Sequence, residues 1–219
     1  MGSSYAGGSD NHSIPDVSGL TDYSIVFNVS VDTVTSNGTA FAFDNFPSSP
    51  RNQCIYKPNT GAGFSGFDVG VGDTGSTRDG TQLVVGALTT IAVTRSGTIA
   101  KCYQQGVQVS GDVTVGAGSF TAGNIRFGCH FFSGSNQEFS VLTLSEFAFY
   151  STALSLAEVE SMVKTRCPLT VRRSNVIRYI PFVRNVIELA SGATVSASGS
   201  PAVVAHHPVI YPKRRRPAV

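Results

Sequence analysis

The stretch LSEFAFYSTALSLAEVESM, residues 144–162, constrains this chain more than any other. Its first seven residues alternate. In an extended strand Phe147 and Phe149 share one face, while Leu144, Glu146, Ala148 and Tyr150 share the other. Ser155-Leu-Ala-Glu158 then has the spacing of a capping box, in which the Ser155 hydroxyl accepts from the Glu158 amide and the Glu158 carboxylate accepts from the Ser155 amide. Leu156, Val159 and Val163 follow at i, i+3 and i+7, an apolar stripe suited to lie on a sheet. The spacing predicts a last core strand, a tight corner and one short helix over about residues 155–164.

The rest of the chain fits a sandwich around that strand. With 23 glycines, 14% charged residues and no sustained helical period, the sequence points to an all-β protein with many turns. Its 219 residues suffice for one sandwich of ordinary size and an extension. Residues 23–31 alternate, Tyr23, Ile25, Phe27 and Val29 against Ser24, Val26, Asn28 and Ser30. Residues 4–14, poor in apolar side chains, suit an edge strand. Residues 39–46 and 53–56 read as further strands. Residues 61–80 hold either a short strand at 67–71 or a long surface loop, where sandwiches usually meet ligands. Residues 89–109 form a meander turning at Ser96-Gly97 and Gln105-Gly106, with Gly106 supplying the positive φ of a tight hairpin. Residues 124–132 give the next strand.

Beyond Cys167 the character changes, so the chain divides into a sandwich, residues 1–167, and an arm, residues 168–219. The arm has β-favouring runs at 176–183 and 186–189, but Pro168, Pro181, Pro201, Pro208, Pro212 and Pro217 argue against regular central strands. It is too short for an independent core and is expected to fold against the body or on a neighbouring subunit. Residues 1–163 carry six basic side chains against thirteen acidic ones; residues 164–219 carry ten basic against Glu188 alone. An acidic body with a basic tail speaks to partners rather than to fold. Arg172, Arg173, Arg178, Arg184, Tyr211, Lys213, Arg214, Arg215 and Arg216 are the expected anchor residues, docking on an acidic protein surface. Phosphate binding or simple solvation would draw on the same charges. No nucleic-acid module surrounds them, and nucleic acid is not the expected partner.

Other classes of function find little support. No apolar run reaches the roughly 18 residues of a membrane span. The N-terminus lacks the basic and apolar parts of a secretory signal, so a chain kept in a cytosol or released by lysis is expected. Cys54, Cys102, Cys129 and Cys167 have neither C-x-x-C spacing nor neighbouring histidines and are expected to be free, buried thiols rather than metal ligands. His12 and His130 are isolated, and His206 and His207 point to opposite faces if extended. No Ser-His-Asp set, phosphate loop or nucleotide fingerprint is present, and no cofactor is expected.

Three blocks of the chain resemble, in order, the laminin-G-like, concanavalin-A-like lectin jelly rolls. The opening SYAGGSDNHSIPDVSGLTDYSIVFNV is similar to the family's first strands, with Phe27 near its tryptophan in a chain that has no Trp. Ile91, Ala92, Val93, Thr94, Gly97, Cys102, Tyr103, Gly106, Val107 and Val109 resemble its central hairpin. The 144–159 stretch resembles its closing strand and helix, with Ser145 in place of the first acid and Ala148 in place of the arginine. The resemblance covers about residues 4–165. It implies a two-sheet antiparallel jelly roll with one short closing helix and a C-terminal extended arm.

The resemblance also implies where chemistry would sit. Glycan hydrolases of this fold carry acids at alternate positions of one strand. Here that strand offers Glu146 flanked by Leu144 and Ala148, and Glu138 has only Asn136 and Ser140 at even spacing. No catalytic residue is assigned, and the protein is not expected to be an enzyme. Calcium, which several laminin-G-like domains bind, could draw on Asp68, Asp73 and Asp79, although their spacing matches no metal loop. Tyr56, Phe64 and Phe67 could stack on a sugar. Jelly rolls of this kind with short basic extensions look like decoration or fibre proteins of tailed bacteriophages. The leading expectation is therefore a non-enzymatic structural protein on the outer surface of a virion, made in the host cytoplasm. Its arm would hold it to a major capsid or tail protein, and it would oligomerise, a trimer suiting a capsid surface. The competing expectation is a glycan-binding adhesion module that recognises cell-surface carbohydrate.

Overall fold

The computed structural model describes residues 2–6, 11–15, 17, 19–33, 38–44, 52–58, 65–109, 111–120, 124–132, 135–182 and 188–204. In chain order the strands are β1 (Gly2–Ala6), β2 (Asn11–Ile14), β3 (Tyr23–Val31), β4 (Phe41–Asp44), β5 (Gln53–Lys57), β6 (Gly66–Val71), β7 (Thr74–Asp79), β8 (Thr89–Ser96) and β9 (Ile99–Gln104). There follow β10 (Val107–Gln108), β11 (Val113–Thr114), β12 (Ile125–Phe127), β13 (His130–Phe132), β14 (Ser135–Gln137) and β15 (Val141–Tyr150). After the helix α1 (Leu156–Thr165) come β16 (Val176–Ile180), β17 (Ser196–Ser198) and β18 (Ala202–Val204). One antiparallel sheet runs β10-β9-β8-β3-β15-β1-β18, with β11 also on β9 and β16 also on β15. The facing sheet runs β17-β2-β12-β4-β5-β6-β7, and β13 and β14 form a separate hairpin. The two sheets make a jelly-roll sandwich.

Alternation explains the core. β3 is buried along its whole length, with Tyr23, Ile25, Phe27, Val29 and Val31 between the sheets and Val26 on the opposite face under α1. From the facing sheet Phe41, Phe43, Cys54, Tyr56, Phe67, Val69 and Phe127 point inward to meet them. Phe27 packs its ring 5.5 Å from Phe41 and 5.7 Å from Tyr56, filling with three phenyl-type rings a core that has no indole. All four cysteines are buried free thiols.

The closing strand departs from simple alternation. Ser145 pairs with Asn28 and Ala148 with Val26, so Glu146 and Phe147 stand opposite Phe27 alone. This is a β-bulge, with Glu146 in the left-handed region at φ 56°. The extra residue reverses the parity. Leu144 therefore faces the inter-sheet core together with Phe147 and Phe149, while Ala148 and Tyr150 face the helix. The expectation that Leu144 shares a face with Ala148 and Tyr150 is corrected by that bulge.

The capping box at Ser155 forms as the spacing predicts: Ser155 Oγ accepts from the Glu158 amide, and the Glu158 carboxylate accepts from the Ser155 amide at 2.8 Å. The helix buries Val159 and Met162 against the outer face of the first sheet, but Leu156 is 48% exposed and is not part of the buried stripe.

Residues after Cys167 are woven into both sheets. β16 pairs with β15, β17 with β2 and β18 with β1. The opening strands, expected at an edge, are therefore inner strands, because β17 and β18 cover them. Pro181 follows β16 and Pro201 precedes β18, so each lies just outside a strand. Glu188, the acid of this segment, is buried. Its carboxylate accepts from the amides of Tyr179 (2.8 Å), Ala190 (2.7 Å) and Ser191 (2.8 Å), which ties residues 188–191 to β16. Tyr150 Oη donates to Pro168 O at 2.6 Å and holds the chain where it leaves the helix.

Candidate functional site

The outer face of the second sheet, turned away from α1, carries a row that is polar at its ends and apolar and buried at Ala42 and Ile55. Register places Ser196, Ser13, Arg126, Ala42, Ile55, Asp68 and Thr77 side by side across β17, β2, β12, β4, β5, β6 and β7. The next row towards the β6–β7 turn holds Gln53, Gly70 and Gly75. Two glycines in register let the β6 and β7 backbones approach closely there. Around them lies a depression of about 300 Å³ lined by Gln53, Asp68, Gly70, Asp73, Thr74, Gly75 and Thr77.

Close backbone approach accounts for both glycines. A Cβ on Gly75 would lie 2.1 Å from Val69 O and 2.3 Å from Gly70 Cα, and one on Gly70 would lie 3.0 Å from Thr74 O. Gly72 and Asp73 both have φ 62°, as a two-residue turn joining antiparallel strands requires. Asn52 Oδ1 accepts from the Gly72 amide at 3.0 Å and fixes that turn to the start of β5. Gln53 Nε2 donates to Asp68 Oδ1, which orients the carboxylate, while the shielded Gln53 Oε1 has no hydrogen-bond partner. Hydroxyls, an amide and two carboxylates thus converge on a shallow floor.

The residues expected to stack on sugar are elsewhere. Tyr56 and Phe67 are 1% and 0% exposed, with ring centroids 4.9 Å apart inside the core. They have the inward parity of Cys54 and Val69, so neither offers a face to a ligand, and the stacking expectation is corrected for both. Phe64 lies outside the described residues. Of the three aspartates proposed for calcium, Asp68 and Asp73 share the depression, whereas Asp79 lines a separate cleft with Gln104, Gln105 and Val107. Among the described residues no group of three or more His, Cys, Asp or Glu is placed to hold a metal ion.

Of the carboxylates considered for catalysis, Glu146 is buried and Glu138 is paired with Lys57. Glu146 is 0% exposed, and Tyr179 Oη donates to its Oε2 at 2.5 Å. Burial pushes its carboxyl up to about 7, the Tyr179 hydrogen bond pulling part of the way back. Glu138 accepts from Lys57 Nζ at 2.9 Å and Thr39 Oγ1 at 3.1 Å, and lies 3.2 Å from His130 Nδ1. Partial burial would raise it, but the His130 and Lys57 hydrogen bonds and the Lys57 charge hold it at about 2. It clamps the segment after β14 to β5.

Of the expected anchor residues, Arg172, Arg173 and Arg178 fall among the described residues. Arg172 Nε donates to Glu158 Oε1 at 2.5 Å beside the start of α1. Arg173 lies in a 3₁₀ turn, and Arg178 Nη1 donates to Ile177 O and Ser191 Oγ. Arg184, Tyr211, Lys213, Arg214, Arg215 and Arg216 lie outside the described residues.

A model of the Concanavalin A-like lectin/glucanases superfamily matches residues 6–160, and the chain belongs to that family. No curated protein matches it in sequence. Among solved structures, the heptameric SAP-like pentraxin of Limulus polyphemus is similar at 13% identity and TM-score 0.58, over 90% of this chain and 93% of the pentraxin. A Bacteroides ovatus protein described as carbohydrate binding is 12% identical with TM-score 0.62, over 93% of this chain and 63% of its own. The CBM40 of a Ruminococcus gnavus sialidase, solved with α2,3-sialyllactose, is 15% identical with TM-score 0.55, over 66% of this chain and 83% of that domain. The chain also matches Trypanosoma rangeli sialidase, but spans only 23% of it. At these identities the likeness is one of fold.

Proposed function

We propose that this protein is a carbohydrate-binding jelly-roll module that binds glycan without cleaving it, through the depression on the outer face of β5, β6 and β7. The observation that carries this reading is the depression floored by Gly70 and Gly75 and walled by Gln53, Asp68, Asp73, Thr74 and Thr77. Its dense hydrogen-bonding groups suit a hydroxylated ring. Solved jelly rolls described as binding carbohydrate share the fold. The burial of Glu146 and the ion pairing of Glu138 support binding rather than hydrolysis. A glycan array on the purified chain, followed by calorimetric titration of the strongest ligand, tests the reading. Asp68→Asn is expected to weaken binding by about tenfold or more, as loss of one charge-assisted hydrogen bond would. Binding that Asp68→Asn leaves unaltered would remove the depression as the site.

A second element of the proposal is placement on a larger assembly, namely the surface of a bacteriophage particle. The tether rests on the basic cluster Lys213-Arg214-Arg215-Arg216, and the bacteriophage surface on the resemblance to jelly rolls with short basic extensions. Because residues 176–204 supply three strands to the sandwich, the informative truncation removes residues 205–219 alone. The truncated chain is expected to keep the wild-type circular dichroism spectrum and glycan affinity but to fail to join particles in an incorporation assay. Unchanged incorporation would refute the tether.

A further inference from the structure

Resting on the reading of the depression as a glycan site, we infer that its ligand is a non-anionic sugar presenting neighbouring hydroxyls, and that carboxylated and sulfated sugars are excluded. The charge around the depression carries this. Asp68 and Asp73 line it, and no cationic residue does among the described residues. Carboxylates only accept hydrogen bonds when ionised, and sugar hydroxyls are the donors that match them.

Among the described residues, the nearby cations are turned elsewhere. Arg78 on β7 is in register with Phe67 and so has the opposite parity to Thr77. Its Nη1 donates to Thr77 O and its Nη2 to Asp112 O at 3.4 Å. Lys57 shares the outer face, but its ammonium is bound to Glu138 at 2.9 Å. Arg126 stands on the same row as Asp68 but on β12, three strands away, about 14 Å at the usual strand spacing. A sugar carboxylate or sulfate placed in the depression would meet two like charges with no counter-ion from the described wall residues. Specificity here comes from repulsion as much as from attraction. Nor is there an aromatic platform among the lining residues, so recognition falls to hydroxyl geometry rather than to stacking.

The test is a glycan array carrying neutral glucan, mannan and galactan oligosaccharides beside sialylated, sulfated and uronate-containing ones, run with chelator and again with calcium. The expected result is binding confined to neutral sugars, by more than about tenfold over acidic ones at equal density. Asp68→Lys and Asp73→Lys are each expected to shift the preference towards acidic glycans while circular dichroism stays unchanged. Acidic glycans bound as well as neutral ones in either buffer, with that binding lost in Asp68→Asn, would overturn the charge argument and leave the glycan site standing. No binding to any sugar by the folded chain would overturn the site and this inference together.

Discussion

Replacing Arg95 by methionine is expected to lower folding stability by about 2–4 kcal/mol. Arg95 continues the inward parity of Ile91 and Val93, yet it is a cation, and it is 1% exposed. Its guanidinium is satisfied by backbone carbonyls: Nε donates to Gly97 O at 2.9 Å, Nη1 to Leu20 O at 3.3 Å, and Nη2 to Gly116 O at 3.1 Å and Gly118 O. The Tyr23 ring lies 5.9 Å beneath it, and Asp22 Oδ1 accepts from the Gly97 amide at 2.7 Å. One fork thereby joins the β8–β9 turn to the segments around Leu20 and Gly116, which Leu20 and Phe120 also bridge. Each charge-assisted bond contributes roughly 1.5–3 kcal/mol. Methionine forfeits them all but also relieves the desolvated charge, which offsets part of the loss. Urea unfolding should show a lower midpoint with an unchanged slope. Arg95→Lys should recover only part, since one ammonium cannot reproduce the planar fork. A loss below about 1 kcal/mol for methionine would show that the carbonyls find other donors.

Much of this architecture was readable before any coordinates, for local reasons. The alternation of Tyr23 to Val31 marks a strand in any context, and the Ser155–Glu158 spacing marks a helix start because its two hydrogen bonds close within four residues. Gly106, at φ 79°, sits in the turn that its neighbours required. What escaped was non-local or broke a rule. Glu146 adopts a conformation that usually favours glycine, so nothing in FAFY warns that the strand slips by one residue there. β17 is Ser-Ala-Ser, exposed and without pattern, and becomes a strand only because β2 offers it a free edge. β7, Thr-Gly-Ser-Thr-Arg-Asp, has no apolar side chain and is defined by pairing with β6.

The candidate site was half visible for the same reason. Gln53-Cys54-Ile55-Tyr56 and Phe67-Asp68-Val69-Gly70 alternate, and carrying that parity through would have put Tyr56 and Phe67 inside and Gln53 and Asp68 outside. The facing of Gly70 by Gly75 depends on hairpin register, which the Gly72-Asp73 turn sets and composition does not reveal. The depression is formed by residues of the glycine-rich segment 61–80 and the neighbouring Gln53. The segment's Asp68, Gly70, Asp73 and Gly75 line the depression, while Phe67 belongs to the core.

Stability should fall as pH rises from about 4.5 to about 7, and Glu146→Gln should remove that fall. Glu146 has its carboxyl pushed up to about 7 from 4.5, with burial as the main cause. Between those values the folded chain holds a proton that the unfolded chain has released, so raising the pH favours unfolding until the folded group also ionises. The whole step is roughly 3 kcal/mol, complete above the folded value and absent below the unfolded one. Glutamine is the neutral isostere. It accepts from Tyr179 Oη as the protonated acid does, and it retains whatever strain the backbone carries at φ 56°. Glu138 and Glu188 cannot supply the effect, because both are held below their ordinary values and lose their contribution on acidification below about 4.5. Urea midpoints of the two proteins should therefore coincide near pH 4 and diverge by pH 8, with Glu146→Gln the more stable. Parallel profiles across that range would mean that Glu146 is ionised and paid for within the fold, and the buried acid would have to be reassigned as a member of a charged network joining β15 to β16.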